Sequence, residues 1–330
     1  MKISIAGTGK IAEEVLRMLH KDFSGKIEVT GIYAREKSIE HAIDLCQAYA
    51  PTGFVFTDYA RMLQEAEADF VYIANANHVH HEYAMQAMLA GKNVIVEKPI
   101  AVNRVQTEEL IDTAIQRCTY CLPAFSLLYM PLFRQIQEVL PQIGQVRMVH
   151  CNFAQRSSRY DRYLKGELTP VFDPSMAGGT LADLNVYNLC FAIALFGPPR
   201  TIRYDCNRGY NGIDTSGTLL CHYPEFLAVL NASKDSDGLS YGCIQGEDGY
   251  IEVNGPVSIL DSFTLHLRGK EPVTYKSDPS RHRLSYEFAE FLALAQNKQE
   301  CHIVIPYVTR IMQEIAIAQE RMNVFPPLQL

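Results

Sequence analysis

No lysine- or arginine-rich block interrupts this chain of 330 residues, and its formal net charge is −7. A nucleic-acid or membrane-surface partner is therefore not expected. Long apolar runs are missing as well. The longest, Leu189 to Phe196, falls well short of the roughly 20 residues that a spanning helix needs. No basic segment followed by an apolar signal core opens the sequence, which goes directly into Lys2-Ile3-Ser4-Ile5-Ala6. The expectation is a cytoplasmic protein. Tryptophan, low-complexity segments and internal repeats are all absent, and the last absence excludes a solenoid. The nine cysteines are scattered and odd in number, which reads as reduced thiols. Cys118 and Cys121 form a C-x-x-C pair, but no second pair or histidine partner accompanies them. They are expected to be buried apolar filler.

What is present is an ordinary globular composition, 48% hydrophobic and 20% charged, with length for two domains. Lys2 to Ala6 reads as a buried strand. It runs into Gly7-Thr8-Gly9-Lys10-Ile11-Ala12, which fits G-x-G-x-x-A. Gly7 permits a tight turn, Gly9 lets a pyrophosphate approach the backbone, and Ala12 keeps the next helix close to the sheet. Ile11, Val15, Leu16 and Leu19 give that helix its apolar face, and its N-terminus offers free N–H groups to phosphate. A second strand, Ile27 to Tyr33, ends in Ala34-Arg35-Glu36-Lys37. No acid sits at the tip to read a ribose 2′-hydroxyl, and Arg35 and Lys37 are placed to meet a 2′-phosphate. NADP is favoured. NAD stays open, because a one-residue shift would put Glu36 on the ribose. Arg35 is otherwise a surface charge on the next helix.

The alternation continues: helix Ile39 to Tyr49, strand Phe54 to Phe56, helix Tyr59 to Glu65, strand Asp69 to Ala74, helix His80 to Leu89. It implies a parallel, doubly wound sheet. His78, His80 and His81 are read as helix-start hydrogen bonding, since no acid or cysteine clusters with them to hold a metal. Then Val94-Ile95-Val96 runs into Glu97-Lys98-Pro99. A lysine at the end of a buried strand needs a partner or a lowered pKa. Open α/β sheets place ligands just past such strand ends, so Lys98 stands where chemistry is expected.

Tyr120 to Phe125 reads as a sixth strand, Leu132 to Leu140 as a helix, and Val146 to Ala154 as a long alternating strand that starts a different architecture. Arg156 to Pro174 reads as irregular, either a pocket roof or a solvated loop. Gly178-Gly179 leads into one helix from about Leu181 to Phe196, on which Asp183 and Tyr187 are four apart and share a face. Beyond Thr201 the segments 216–221, 226–232, 241–245, 249–253, 257–260 and 263–267 read as strands of an open, mainly antiparallel sheet. One face would cover the 181–196 helix. The other would be covered by another subunit, as a homodimer or homotetramer. Segments 283–295 and 306–321 read as closing helices.

In this register the chain resembles the Gfo/Idh/MocA family. The matching residues are Gly7, Gly9 and Ala12, then Asn77 and His80, then Ala90-Gly91-Lys92-Asn93-Val94 leading to Glu97-Lys98-Pro99. Gly144-Gln145-Val146 and Gly178-Gly179-Thr180-Leu181-Ala182-Asp183 follow. The resemblance covers the first 200 or so residues well. It implies an α/β Rossmann domain over 1–121 and an α+β domain over 122–330 for substrate binding and oligomerisation. It implies cofactor binding by Gly7, Thr8, Gly9, Lys10, Ile11, Ala12, Ala34, Arg35, Lys37, Ala74, Asn75, Asn77, His80, Glu97 and Lys98. Lys98, Tyr129, Asp183 and Tyr187 would meet the substrate, with no metal. Three positions depart from the family pattern: Ala76 replaces a proline, Asn185 a glycine, and Tyr187 the frequent catalytic histidine, although tyrosine also occurs there in the family.

The implied reaction is hydride transfer between NAD(P) and a carbinol or carbonyl carbon of a sugar, polyol or cyclic diol. Tyr187 would be the acid/base, Lys98 its electrostatic partner, and Asp183 the substrate anchor or a holder of Lys98. The competing expectation is a dinucleotide-binding regulator of the same fold that does not turn over. The presence of Lys98 and of a second-domain acid/base ranks it lower.

Overall fold

The structure is a computed structural model, and it describes residues 1–296. The expected 306–321 helix and Cys301 lie outside them. The described residues divide into two compact units, one of residues 1–124 and 281–296, the other of residues 125–280.

The first unit alternates strand and helix: β1 (Lys2–Ala6), α1 (Lys10–Asp22), β2 (Glu28–Tyr33), α2 (Ile39–Tyr49), β3 (Phe54–Phe56), α3 (Tyr59–Glu65), β4 (Phe70–Ile73), α4 (His80–Leu89), β5 (Asn93–Glu97), α5 (Arg104–Arg117) and β6 (Cys121–Ala124). All strand pairings are parallel, in the order β3-β2-β1-β4-β5-β6. This is the doubly wound order whose reversal between β1 and β4 opens a crevice at the strand ends. The strands are apolar on both faces because helices cover both, as Ile3, Ile5, Val71, Ile73, Val94 and Val96 show by their burial.

The second unit holds α6 (Pro131–Val139), β7 (Val146–Ala154), α7 (Tyr160–Leu164), a π-helical turn (Leu181–Asn185), α8 (Val186–Phe196), and strands β8 (Thr201–Arg208), β9 (Asp214–His222), β10 (Leu227–Ser233), β11 (Tyr241–Gly246), β12 (Gly249–Asn254), β13 (Ser262–Leu267) and β14 (Val273–Lys276). Its sheet runs β14-β13-β12-β11-β7-β10-β9-β8 and is antiparallel apart from the β10–β7 pair. On β7 and β10 the buried Val149, Cys151, Ala228 and Leu230 alternate with half-buried neighbours, and α8 packs on these strands.

Several expectations are corrected. The expected helix 181–196 is a π turn followed by an α-helix, so the Asp183–Tyr187 spacing is not an α-helical one. Residues 257–260 are not a strand: Pro256 breaks the ladder and Leu260 takes φ +47°. The segment from Arg156 is partly ordered by α7, where Tyr163, Phe172 and Ile213 form a small core. Cys118 is exposed, in left-handed conformation after α5; of the C-x-x-C pair only Cys121 is buried.

The 122–330 boundary also changes at its far end, because α9 (Arg283–Gln296) groups with the first unit. It buries Leu284, Phe288 and Phe291, and the Phe288 ring lies 5.7 Å from that of Tyr72 on β4. Burying a phenylalanine contributes about 1.5–3 kcal/mol. Arg283 pairs with Glu14 at 3.2 Å, and Ser285 donates to Asp22, both acids on α1.

That helix also buries a charge-bearing group. Glu287 is fully buried, and neither carboxyl oxygen has a hydrogen-bond partner among the described residues. Burial first, then the Glu97 charge, push its pKa well above the carboxylate range, against a weaker pull from Arg283. Glu97 itself accepts from Tyr72 Oη at 2.5 Å and from the Lys98 N–H at 3.1 Å. Of the two acids, Glu97 has donors to stabilise its charge and Glu287 has none among the described residues, so folding favours the protonated form most at Glu287. A carboxyl whose pKa rises on folding stabilises the fold fully below its unfolded value, about 4.3, and that stability is lost as pH rises through the folded value. Glu287→Gln should thus raise Tm at pH 8, by ~2–4 °C per kcal/mol recovered, and leave it unchanged near pH 4. Thermal unfolding at the two pH values checks this. An equal shift at both would show that Glu287 does not titrate on folding.

Candidate functional site

In the first unit, the expected phosphate turn has the backbone it needs. Gly7 takes φ +123°, and a Cβ there would lie 2.6 Å from the Ala74 carbonyl oxygen, so no side chain fits. Its N–H donates to the Tyr33 carbonyl at 3.0 Å, tying the turn to the tip of β2. Gly9 differs: its φ is −74°, and a Cβ would meet no protein atom within 4 Å. The glycine is not demanded by the protein's own packing. It leaves open space beside the N-terminus of α1, where no side chain caps the free N–H groups. A phosphate approaching the backbone needs that space. Ala12 is fully buried under the helix. Thr8 is half-buried, Lys10 is exposed, and Ile11 is half-buried. The residues fit a dinucleotide.

Around this turn the strand ends are tied together by backbone. Ala34 N–H donates to Phe56 O and Ala74 N–H to Ala6 O, each at 2.9 Å. His80 is buried, with Nδ1 2.7 Å from the Pro99 carbonyl and Nε2 3.0 Å from the Asn75 carbonyl. Burial lowers its pKa, the nearby Lys98 charge adding to the effect against those carbonyls. His80 thus links the loop after β4 to the turn after β5. Asn77 opens a short 3₁₀ turn before α4. Lys98 is the first residue past β5 and is half-buried. Arg35 and Lys37 are exposed, and neither side chain makes an ion pair or hydrogen bond among the described residues.

In the second unit, Asp183 sits on the π turn, and its partner was not legible in the sequence. Lys234 Nζ lies 2.5 Å from Asp183 Oδ2. The lysine side chain is 3% exposed and the aspartate 29%. Lys234 directly follows β10, its N–H donates to Thr215 O at 2.8 Å, and its Nζ stands 5.3 Å from the Phe172 ring centroid. A lysine at a strand end is the same signal that marked Lys98, and it could have been read. Asp214 was also missed. Its Oδ2 accepts from the Leu181 N–H at 2.7 Å and from Tyr204 Oη at 2.6 Å, which fixes the start of the π turn. Gly179, at φ +107°, leaves it room, since a Cβ there would collide with the Asp214 carboxylate. Asn185 donates to Leu230 O at 3.0 Å, so the residue that replaces the family's glycine is a buried tie to β10.

Tyr187 is half-buried at the start of α8, with the Phe125 ring at 6.1 Å and the Phe153 ring at 6.4 Å. Tyr129 is buried on a 3₁₀ turn. Asp183, Tyr187 and Tyr129 belong to the second unit, and Lys98 to the first. Within its own unit Asp183 pairs with Lys234. Among the described residues no group of three or more His, Cys, Asp or Glu could hold a metal ion.

Comparison with known proteins decides the family. The sequence model of an oxidoreductase family with an NAD-binding Rossmann fold matches residues 1–124, and that of the GFO/IDH/MocA C-terminal domain matches 133–252. The scyllo-inositol 2-dehydrogenase (NADP(+)) IolU of Bacillus subtilis is 32% identical over 314 residues, 91% of this chain and 90% of its own. The chain belongs to the Gfo/Idh/MocA oxidoreductase family. The uncharacterized oxidoreductase YgjR of Escherichia coli is 32% identical over 77% of this chain and 76% of its own. The trans-1,2-dihydrobenzene-1,2-diol dehydrogenase of Xenopus tropicalis is 26% identical over 82% and 79%. Among solved structures, the 3-ketoreductase KijD10 of Actinomadura kijaniata, in complex with NADP and TDP-benzene, superposes with a TM-score of 0.84 at 18% identity over 99% of both chains, a likeness of fold. The protein is thus an NAD(P)-binding oxidoreductase of the Gfo/Idh/MocA type.

The ion pair in this Gfo/Idh/MocA protein makes a prediction independent of any substrate. Removing one partner of a largely buried pair leaves the other uncompensated. Lys234→Met should lower Tm, and Asp183→Asn in that background should add little. A double-mutant cycle by denaturant unfolding checks this, with a coupling of at least about 1 kcal/mol expected after discounting the partial exposure of Asp183. Additive effects would show that the contact does not stabilise the unit.

Proposed function

We propose that this protein transfers a hydride reversibly between NADP and a carbinol or carbonyl carbon of a neutral polyol, sugar or cyclic diol. What carries the substrate class is the Lys234–Asp183 pair. A carboxylate paired with a buried lysine accepts a hydrogen bond from a hydroxyl and offers no donor to a carboxylate substrate. The names of the relatives point the same way, to an inositol and a dihydrodiol. NADP is favoured over NAD because Arg35 and Lys37 follow β2 where an acid would otherwise read the ribose. Glu36 is the residue that would serve NAD instead.

The bound nicotinamide supplies the hydride acceptor or donor. In alcohol oxidation the hydroxyl proton must leave as the hydride does, and Tyr187 takes it; in reduction Tyr187 returns it. Phe125 and Phe153 hold the Tyr187 ring in a largely apolar setting. Asp183 orients the reacting or neighbouring hydroxyl. Lys98, the first residue past β5, brings a positive charge to the strand ends of the first unit, where the nicotinamide is expected. Glu97 fixes the Lys98 backbone from behind through its N–H.

We also propose a homo-oligomer, a dimer or tetramer, assembled through the free face of the second unit's sheet. Its support is a face that carries Leu227, Tyr241 and Tyr250 partly exposed beside a groove of about 530 Å³ lined by Asn152, Thr218 and Asn231. Light scattering of the purified protein checks this, and a monomer would exclude it.

The reading is tested by calorimetric titration of nucleotide-free protein with NADPH and NADH, then by turnover on polyols and diols. NADPH should bind more tightly. Tyr187→Phe should cut kcat by about 10²–10⁴-fold with cofactor affinity nearly unchanged. Wild-type turnover in that variant would end the acid/base assignment. Folded, nucleotide-free protein that bound neither dinucleotide would end the functional reading.

A further inference from the structure

Three tyrosines meet beside the tip of β2 in the first unit. The Tyr33 and Tyr59 ring centroids are 5.3 Å apart, Tyr33 and Tyr83 5.5 Å, and Tyr59 and Tyr83 4.6 Å. Tyr59 is buried, and its hydroxyl is spent on the Tyr83 carbonyl at 3.0 Å. Tyr33 and Tyr83 are half-buried, and their hydroxyls lie 3.0 Å from each other. Two hydroxyls that share one hydrogen bond use one proton between them. The second O–H has no acceptor among the described residues.

The position of this spare donor is informative. Tyr33 is the last residue of β2, and its carbonyl accepts the Gly7 N–H of the phosphate turn. Two residues on is Arg35, whose guanidinium has no ion-pair or hydrogen-bond partner among the described residues. Burial and the Tyr33 hydrogen bond hold the Tyr83 phenol protonated, and the Arg35 charge is near enough to act on it. A protonated phenol pair with one unspent O–H, beside an unpaired guanidinium, suits an acceptor that carries negative charge.

We propose that Tyr33 and Tyr83 form, with Arg35, the recognition site for the 2′-phosphate at the adenosine end of the cofactor. This rests on the NADP reading above and deepens it. Tyr83 comes from α4, a helix that neither the glycine turn nor the tip of β2 would bring to mind. The shared hydrogen bond lets either phenol donate its O–H to the phosphate while accepting from the other. The ligand chemistry is a ribose 2′-phosphomonoester, and an unphosphorylated ribose leaves the spare donor unused.

The test uses the full-length, nucleotide-free protein and two probes without a nicotinamide, adenosine 2′,5′-bisphosphate and adenosine 5′-monophosphate. Calorimetry measures both on wild type, Tyr33→Phe and Tyr83→Phe. Phenylalanine keeps the ring packing and removes only the hydroxyl, and Tm reports the fold. Each variant should lose about tenfold in affinity for the bisphosphate, as expected of a hydrogen bond to a charged group. Affinity for the monophosphate should stay within about twofold, and the NADPH-to-NADH preference should fall in parallel. Wild-type discrimination between the two probes in both variants would overturn the proposal, as would a wild type that binds the two equally. Wild-type protein that turns over a polyol with NADH while showing no preference for the bisphosphate would sink this site alone. Binding of no nucleotide at all would sink the oxidoreductase reading with it.

Discussion

A carboxylate buried at the end of a β-strand constrains the first unit more than any other single group. Glu97 stands at the carboxyl end of β5, where desolvation raises its pKa. Left alone it would protonate or drag water inside. Two donors prevent this: Tyr72 from the neighbouring strand and the N–H of Lys98. The second bond fixes the backbone of the residue expected to act in chemistry. The first reaches a fully buried ring, so the strand end is anchored in the core. Glu287 completes the arrangement from α9. Its burial and the Glu97 charge favour its protonated form, while the helix itself is held on the first unit by Phe288 beside Tyr72 and by the Arg283 and Ser285 bonds to α1.

The second unit meets a related problem with the opposite charge. Lys234 follows β10 and loses nearly all its contact with water. Its compensation is Asp183, 51 positions earlier, together with the face of Phe172. The aspartate keeps part of its surface, so the pair joins a buried cation to a reachable anion. Such a site offers acceptors to hydroxyl groups while presenting no free cation from Lys234 to an acid.

Local pattern explains what the sequence made legible. β1, β2, β4 and β5 carry runs of Ile and Val between turn-forming residues, and α1 shows helical spacing of its apolar positions, so element type follows from side-chain periodicity. The glycine turn was legible because Gly7 and Gly9 serve different steric needs that only glycine meets there. The failures have one cause in common, which is dependence on a distant partner. Lys234 needs Asp183, and the Leu181 N–H needs Asp214; nothing within a short window announces either partner. The 257–260 segment misled for the converse reason. Its apolar residues are buried, but Pro256 and the left-handed Leu260 give it a turn's backbone. The four-stranded stretch after β10 was otherwise readable up to β14, a short edge strand with weak alternation.

The π turn that carries Asp183 shows why a departure from the family pattern need not weaken a site. A π-helical turn is rare, and it persists where surrounding contacts hold it. Here they act at three points. Asp214 takes the Leu181 N–H at its start, Lys234 takes the Asp183 carboxylate at its middle, and Asn185 grips the Leu230 carbonyl at its end. Asn188 extends the last tie by donating to Asn185 Oδ1 and to Asn231 O, both at 2.9 Å. A glycine at 185 would supply none of the third contact and would lose more conformational entropy on ordering. The asparagine therefore contributes rigidity where the family pattern has freedom. It does so through β10, the strand whose end also carries Lys234. The orientation of Asp183 and the start of the helix bearing Tyr187 are thus set by one strand, and a shift of β10 would move both together.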